Sequence, residues 1–274
     1  MNPWATYPPW QNFSSLCREA ITAKESTNEM NKAHHLMASL YFGIATLEAF
    51  LNQKMRMCLQ GTKSEGEVLE VLRKGRIMTK LKEWPTELLG KPLKLNDGTL
   101  ALIVLFNDVR GDLTHPKTRG HDVYARLETI DPISVIDSVA EYIVRFHEAE
   151  GTRFPYWLFG WNYLNPRSDS HEIVLSSDDQ FCYSLIALGF NVPPPLYSRG
   201  ESWHDEYLRT FEAYKVVGKH LRSLDRCEPK ELIFPFKPML CRRWWTSAHH
   251  ETCGHVTDEA VEHARKHGGL APRL

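Results

Sequence analysis

The sequence predicts a mainly α protein: an antiparallel helical bundle over residues 28–150, followed by a mostly helical, aromatic-rich extension over 151–274 packed on that bundle. Three observations predict it. Apolar residues recur every three or four positions through long segments, the spacing of one helix face. Capping residues and glycines bracket those segments. At Gly151 the texture changes, and Phe154, Tyr156, Trp157, Phe159, Trp161 and Tyr163 crowd among proline and glycine.

Residues 1–27 read as an N-terminal arm and a short helix. Trp4, Tyr7, Trp10 and Phe13 interleave with Pro3, Pro8 and Pro9 over residues 1–13, a composition unsuited to helix and suited to lying across an apolar surface. Ser26 followed by Glu29 is a capping box, and Leu36, Leu40, Ile44, Leu47, Leu51 and Met55 then trace one face of a long helix. A second box, Ser64 with Glu67, opens a short helix through Leu72 that stops at Gly75. Another short helix is expected from Ile77 to Trp84, ending before Pro85.

After the turn signal Asn96-Asp97-Gly98, the positions Leu102, Leu105, Phe106, Val109 and Leu113 share a helix face. Pro116 disfavours helical geometry at His115, so this helix should end there. Asp131 as N-cap with Pro132 at the first helical position starts the next one, carrying Ile133, Ile136, Val139, Ile143 and Phe146. Beyond 151, helices are expected at about 177–188, 203–223 and 257–267, with one short strand at 172–175 and an irregular stretch at 229–245.

Composition narrows the function classes. Hydrophobic residues make up 42% and charged residues 24%, an ordinary globular balance. The longest apolar runs, such as Leu100 to Phe106, fall far short of the roughly 20 residues a membrane helix needs. The first residues lack a basic segment followed by an apolar stretch, and six cysteines are sparse for 274 residues, so a cytoplasmic location is expected. A formal net charge of -1 gives no global attraction to nucleic acid, so any RNA contact must come from local basic patches.

The segment most specific for chemistry is Asn107-Asp108-Val109-Arg110-Gly111-Asp112-Leu113-Thr114-His115-Pro116-Lys117. It sets an Arg and a His five positions apart at the end of a bundle helix. Arg110-x4-His115, with Glu48 in the preceding long helix, resembles the signature of the HEPN superfamily over roughly 120 of the 274 residues. The residue after Arg is usually polar in that signature and is Gly111 here, with Asp112 one place later as a substitute.

The resemblance implies a metal-independent endoribonuclease without cofactor, a toxin or antiviral effector held in check by a partner protein. It also implies a homodimer in which two motifs face one shared cleft. The residue types suit that chemistry. RNA carries its own nucleophile, the 2′-hydroxyl, so a site must deprotonate it, stabilise the phosphorane and protonate the leaving 5′-oxygen. His115 titrates near neutrality and can move those protons. Arg110 stays charged and offers a planar fork for two phosphate oxygens. Glu48 would orient either of them. The alternative is a non-catalytic HEPN-like dimerisation or RNA-binding module, with Gly111 marking a lost site.

Other residues suggest contacts rather than chemistry. Arg73, Lys74, Arg76, Lys80 and Lys82 form a span without an acid, and with Lys117 they either guide an RNA backbone or form a solvated surface. Between Lys215 and Trp245, eight Lys or Arg stand against three Asp or Glu, with Tyr214, Phe234, Phe236, Trp244 and Trp245 interleaved. Such a mixture suits single-stranded nucleic acid or Arg packing on buried Trp. Cys241, His249, His250, Cys253 and His255 include ligand types for zinc but match no standard spacing, so no metal site is assigned.

Overall fold

The computed structural model describes residues 8–114, 122–159 and 209–216. Among these the chain is helical and contains no strand. It divides into two compact units, Met1–Thr152 and Arg153–Leu274. The first holds α1 (Pro8–Glu25), α2 (Glu29–Leu59), α3 (Glu65–Arg73), α4 (Ile77–Leu89), α5 (Thr99–Thr114), α6 (Asp122–Glu128) and α7 (Pro132–Glu150).

The long helix α2 organises the first unit, because it packs against each of the other six helices. The six apolar positions expected on its face, Leu36 to Met55, are all buried. Burying each such side chain contributes about 1.5–3 kcal/mol relative to exposure. Gly43 lets neighbours approach closely: a Cβ there would stand 3.3 Å from Val135 Cγ1 and 3.4 Å from Val139 Cγ2 on α7. α7 is buried on more than one face, with Val135, Val139, Tyr142, Ile143, Val144 and Phe146 all inaccessible. Its N-cap is Asp131, which accepts from the Ser134 N–H, and Pro132 follows in the first turn.

Several boundaries differ from expectation. The segment read as an arm is helical from Pro8, and Trp10 and Phe13 are buried in α1. Pro8 and Pro9 open this helix, where their missing N–H groups would have no partner anyway. The N-cap of α2 is Asn28, whose side chain accepts from the Asn31 N–H, while the Ser26 hydroxyl donates to the Asn28 carbonyl in the preceding turn. The Ser64–Glu67 capping box of α3 forms as expected. In α5 the buried positions are Thr99, Ile103, Phe106 and Val109; Phe106 and Val109 belong to the predicted stripe, while its other members Leu102, Leu105 and Leu113 are half-buried. The short α6 carries no apolar repeat long enough to have been read from sequence.

The helix expected to end before Pro85 instead continues to Leu89. Pro85 has no N–H for the carbonyl four residues earlier, that of Leu81. The Tyr142 hydroxyl from α7 donates to this carbonyl at 2.9 Å, so the break is filled by a side chain from another helix. Burial also pushes the Tyr142 phenol well above its usual range, keeping it a donor. A similar tertiary bond sets the start of α5. The buried Glu141 carboxylate accepts from the Asn96 N–H at 2.6 Å and from the Thr99 hydroxyl at 2.7 Å.

In the second unit, Phe154, Phe159, Phe211 and Tyr214 form one aromatic cluster. Phe159 stacks on Tyr214 at 4.9 Å between centroids, and Phe154 meets Tyr214 edge-on at 5.7 Å. The Tyr214 hydroxyl donates to the Leu158 carbonyl at 3.2 Å. Residues 211–216 are helical, within the stretch expected to be so at 203–223. The helices expected at 177–188 and 257–267, the strand at 172–175 and the irregular stretch at 229–245 lie outside the described residues.

The Pro85 repair predicts a double-mutant result. Tyr142→Phe leaves the Leu81 carbonyl buried without a donor and should cost about 1–3 kcal/mol in urea unfolding. Pro85→Ala returns an N–H to that carbonyl, so the same Tyr142→Phe change should cost clearly less in its background. Equal costs in both backgrounds would show that the hydroxyl does not serve the proline break.

Candidate functional site

Arg110 sits one turn before the end of α5, where the Thr114 hydroxyl donates to the Arg110 carbonyl at 2.7 Å. Its guanidinium lies 5.7 Å from the ring centroid of Tyr41 on α2, and the Tyr41 side is open, with the residue 57% exposed. Six Lys or Arg residues described in the first unit are buried or half-buried. Five of them make ion pairs: Lys54 with Glu150, Arg56 with Glu65, Lys80 with Glu48, Arg126 with Asp112 and Arg145 with Glu148. Among the described residues, Arg110 makes none. Its charge is held against an aromatic face, with no compensating carboxylate among the described residues.

His115, Pro116 and Lys117 follow directly in sequence and lie outside the described residues. The structure therefore places one residue of the Arg-x4-His pair.

Glu48 is brought to a different partner from the one expected. It is 3.2 Å from the Nζ of Lys80, a side chain only 2% exposed. The same Nζ donates to Asn52 Oδ1 at 3.0 Å and to the Leu72 carbonyl at 2.7 Å, so all three ammonium protons are used. The Leu72 carbonyl belongs to the last turn of α3, and Lys80 thereby closes that helix end. Glu48 is also seven residues beyond Tyr41 on α2, about 10 Å along the axis at the helical rise. It neutralises Lys80 rather than orienting Arg110. Lys80 in turn is no part of a basic surface, which corrects its place in the 73–82 span.

Arg73, Lys74 and Arg76 are exposed at the α3–α4 junction, and Lys74 pairs loosely with Glu70 at 3.4 Å. Their neighbour Lys80 meets α2 at Asn52, about 16 Å along that helix from Tyr41. Asp108 is exposed, and Asp112 is committed to Arg126 at 2.8 Å. Gly111 has nothing described within 4 Å of where a Cβ would stand, so the surface beside Arg110 carries no side chain at that point.

A second cluster, without a sequence signature, closes the C-terminal end of α7. His147 Nδ1 is 2.9 Å from the Thr152 hydroxyl, which donates onward to Glu150 at 2.6 Å, and Lys54 donates to the same carboxylate at 2.5 Å. Because the hydroxyl proton goes to Glu150, the network assigns a proton to His147 Nδ1. Burial, reinforced by nearby Lys54, depresses the His147 pKa to about 3. Burial pushes Glu150 upward, but its bonds from Lys54 and Thr152 outweigh this and hold it below the ordinary value. An imidazole kept neutral so far below neutrality is a poor proton carrier at working pH, so this cluster is a helix lock. Its members were unrecognisable in sequence because Lys54 and Glu150 are 96 residues apart.

No described group of three or more His, Cys, Asp or Glu residues is placed to hold a metal ion. The Cys241, His249, His250, Cys253 and His255 cluster and the basic-aromatic stretch from 217 onward lie outside the described residues. No described helix is long and apolar enough to cross a membrane. No family model, curated protein or solved structure matches the chain.

Two outcomes follow for stability. Gly111→Ala adds a methyl into open space in a helix interior and should stabilise the protein by about 0.5–1 kcal/mol. A loss would show that the glycine is required for close approach. For His147 the folded-state pKa is depressed, so below its ordinary value of 6.5 the unfolded chain binds a proton that the folded chain refuses. Its contribution is complete above pH 6.5 and disappears as pH falls towards 3, with Glu150 acting in the same direction below 4.5. His147→Gln should flatten the upper part of this decline in thermal melts. An unchanged slope would mean that His147 is not held neutral.

Proposed function

We propose that the first unit is a metal-independent endoribonuclease domain of the HEPN type, acting as a homodimer on RNA. The observation that carries this reading is Arg110: a half-buried cation, uncompensated among the described residues, beside an open aromatic ring and five positions before His115. An unpaired guanidinium is ready to bind a phosphate, and Tyr41 offers a face on which a base can stack.

In this mechanism one His115 takes the proton of the 2′-hydroxyl while its oxygen attacks the adjacent phosphorus. Arg110 holds the phosphate oxygens as charge builds on the phosphorane. The bond to the 5′-oxygen then breaks, and the second His115 of a two-fold dimer protonates that oxygen. The products are a 2′,3′-cyclic phosphate and a free 5′-hydroxyl. Activity of this kind requires restraint in a living cell, which suits a toxin or defence effector with a neutralising partner protein.

A second reading is favoured by the acidic residues. Glu48 is given to Lys80 and Asp112 to Arg126, and Gly111 stands where the signature usually has a polar side chain. A HEPN-like module that binds RNA without cutting it would tolerate all three.

Purified protein incubated with mixed RNA in EDTA separates the two. Cleavage to cyclic phosphate ends is expected, and His115→Ala should lower its rate by about a hundred- to ten-thousand-fold. Arg110→Ala should be similarly inactive while losing only about 0.5–1 kcal/mol of stability with its ring contact. RNA binding without cleavage in the wild type establishes the second reading. Normal cleavage by folded His115→Ala, or complete dependence on added divalent metal, would refute the first.

A further inference from the structure

The N-terminal part of α2 and the short α6 line an open pocket of about 290 Å³. Small-ligand pockets start at roughly 300 Å³, so this one suits a fragment of about nucleoside size. Its floor is apolar, because Leu36 and Leu127 are both buried there, and Ala33 leaves the space a longer side chain would fill. Tyr124 supplies a wall that is 46% exposed. Glu29, Lys32 and Glu128 complete the lining. Among the described residues, none of these three charged side chains makes an ion pair or a side-chain hydrogen bond, and the Tyr124 ring touches no other ring. An apolar floor, an open aromatic ring and unengaged polar groups together form the arrangement that reads an unstacked base.

The polar groups select among bases. A carboxylate only accepts, through two oxygens side by side, so it needs two adjacent donors. Guanine alone of the four RNA bases sets two donors together on its Watson–Crick edge, N1–H and the 2-amino group, beside the O6 acceptor. Adenine and cytosine each place a ring-nitrogen acceptor beside their amine, and uracil flanks one N–H with two carbonyls. Each would turn a lone pair towards the carboxylate. Lys32 provides the donor that O6 needs. A guanidinium would also match a carboxylate, and the lining holds two carboxylates against one ammonium, so arginine amide is the control ligand that separates the two.

The pocket and the candidate site share α2 and are joined through α5 and α6. Leu36 and Tyr41 are five residues apart on α2, about 7.5 Å along the axis, and the Asp112–Arg126 pair ties the end of α5 to α6.

We propose that the α2–α6 pocket binds a guanine base. Its further consequence, that it selects the nucleotide presented to Arg110, rests on the RNA-cleavage reading above.

Calorimetric titration of the full chain with guanosine, inosine, adenosine, cytidine and uridine 5′-monophosphates tests the proposal. Guanosine monophosphate should bind about tenfold more tightly than the others, with inosine, which lacks the 2-amino donor, among the weak ligands. Tyr124→Ala should weaken it about tenfold by removing the stacking face. Ala33→Leu fills the pocket without touching a charge and should abolish binding, and combined Glu29→Gln and Glu128→Gln should erase the preference for guanine. An oligonucleotide with a single guanosine that outcompetes the mononucleotide assigns the pocket to RNA, and the reverse assigns it to a free guanine nucleotide. Equal binding of all five nucleotides, no binding, unchanged binding by Ala33→Leu, or binding of arginine amide in place of guanine would each overturn the proposal. Guanine binding without RNA cleavage leaves this inference intact and removes the nuclease reading. Cleavage with no base preference and no guanine binding does the opposite.

Discussion

The burial of α7 on more than one face is the constraint on which the first unit depends. A helix enclosed on more than one face must supply every polar side chain it carries with a partner, since an unpaired buried polar group costs about 1–3 kcal/mol. Glu141 and Tyr142 are consecutive on that helix and turn this requirement to use. Glu141 receives the N–H and hydroxyl groups that start α5, and Tyr142 fills the carbonyl that Pro85 leaves open in α4. Lys80 does the same for the end of α3 while joining Glu48 and Asn52 on α2. Three helices are thus completed by polar atoms from elsewhere in the fold: the start of α5, the proline break in α4 and the end of α3. Such bonds fix register as well as energy, because a one-residue slip of any partner would strand a buried donor or acceptor.

This dependence explains which parts of the fold were legible in sequence. Local devices were readable: the Ser64–Glu67 box, the Asp131–Pro132 start and the apolar stripe from Leu36 to Met55 operate within one turn or one face. The arm was misread because Pro8 and Pro9 break a helix interior but open a helix without cost. Pro85 was misread for the complementary reason, since the donor that rescues it is 61 residues from the rescued carbonyl. The α5 stripe was read correctly at Phe106 and Val109 but not at Leu102, where the neighbouring Ile103 is buried instead, because tertiary packing decides between neighbours that periodicity alone leaves equal.

The same limit applies to the candidate site. Arg110 was singled out from spacing, and the fold holds it half-buried beside the Tyr41 ring. Glu48 and Lys80 were assigned to chemistry and to a basic surface, yet each is the other's partner. Residue type and interval cannot reveal such an exchange, because Glu48 and Lys80 are 32 residues apart and meet only once α4 lies on α2. The pocket beneath Tyr124 had no sequence signal either, since its lining joins the first turns of α2 to α6 across almost a hundred residues of chain.

Charge compensation gives the strongest reason to look at Arg110. Withdrawing a cation from water costs several kcal/mol unless an anion or a set of acceptors replaces the lost solvation. The fold meets that cost at Lys54, Arg56, Lys80, Arg126 and Arg145, each with a carboxylate within 4.0 Å. Purely structural selection would be expected to treat Arg110 in the same way, and Asp108 and Asp112 lie two residues to either side of it. One is exposed and the other is turned to Arg126, so neither neutralises it. An aromatic face stabilises a guanidinium by only about 0.5–2 kcal/mol, and the N–H fork of Arg110 meets no acceptor among the described residues. Among the described residues no anion stands beside Arg110, and under the RNA-cleavage proposal a phosphate diester would supply one.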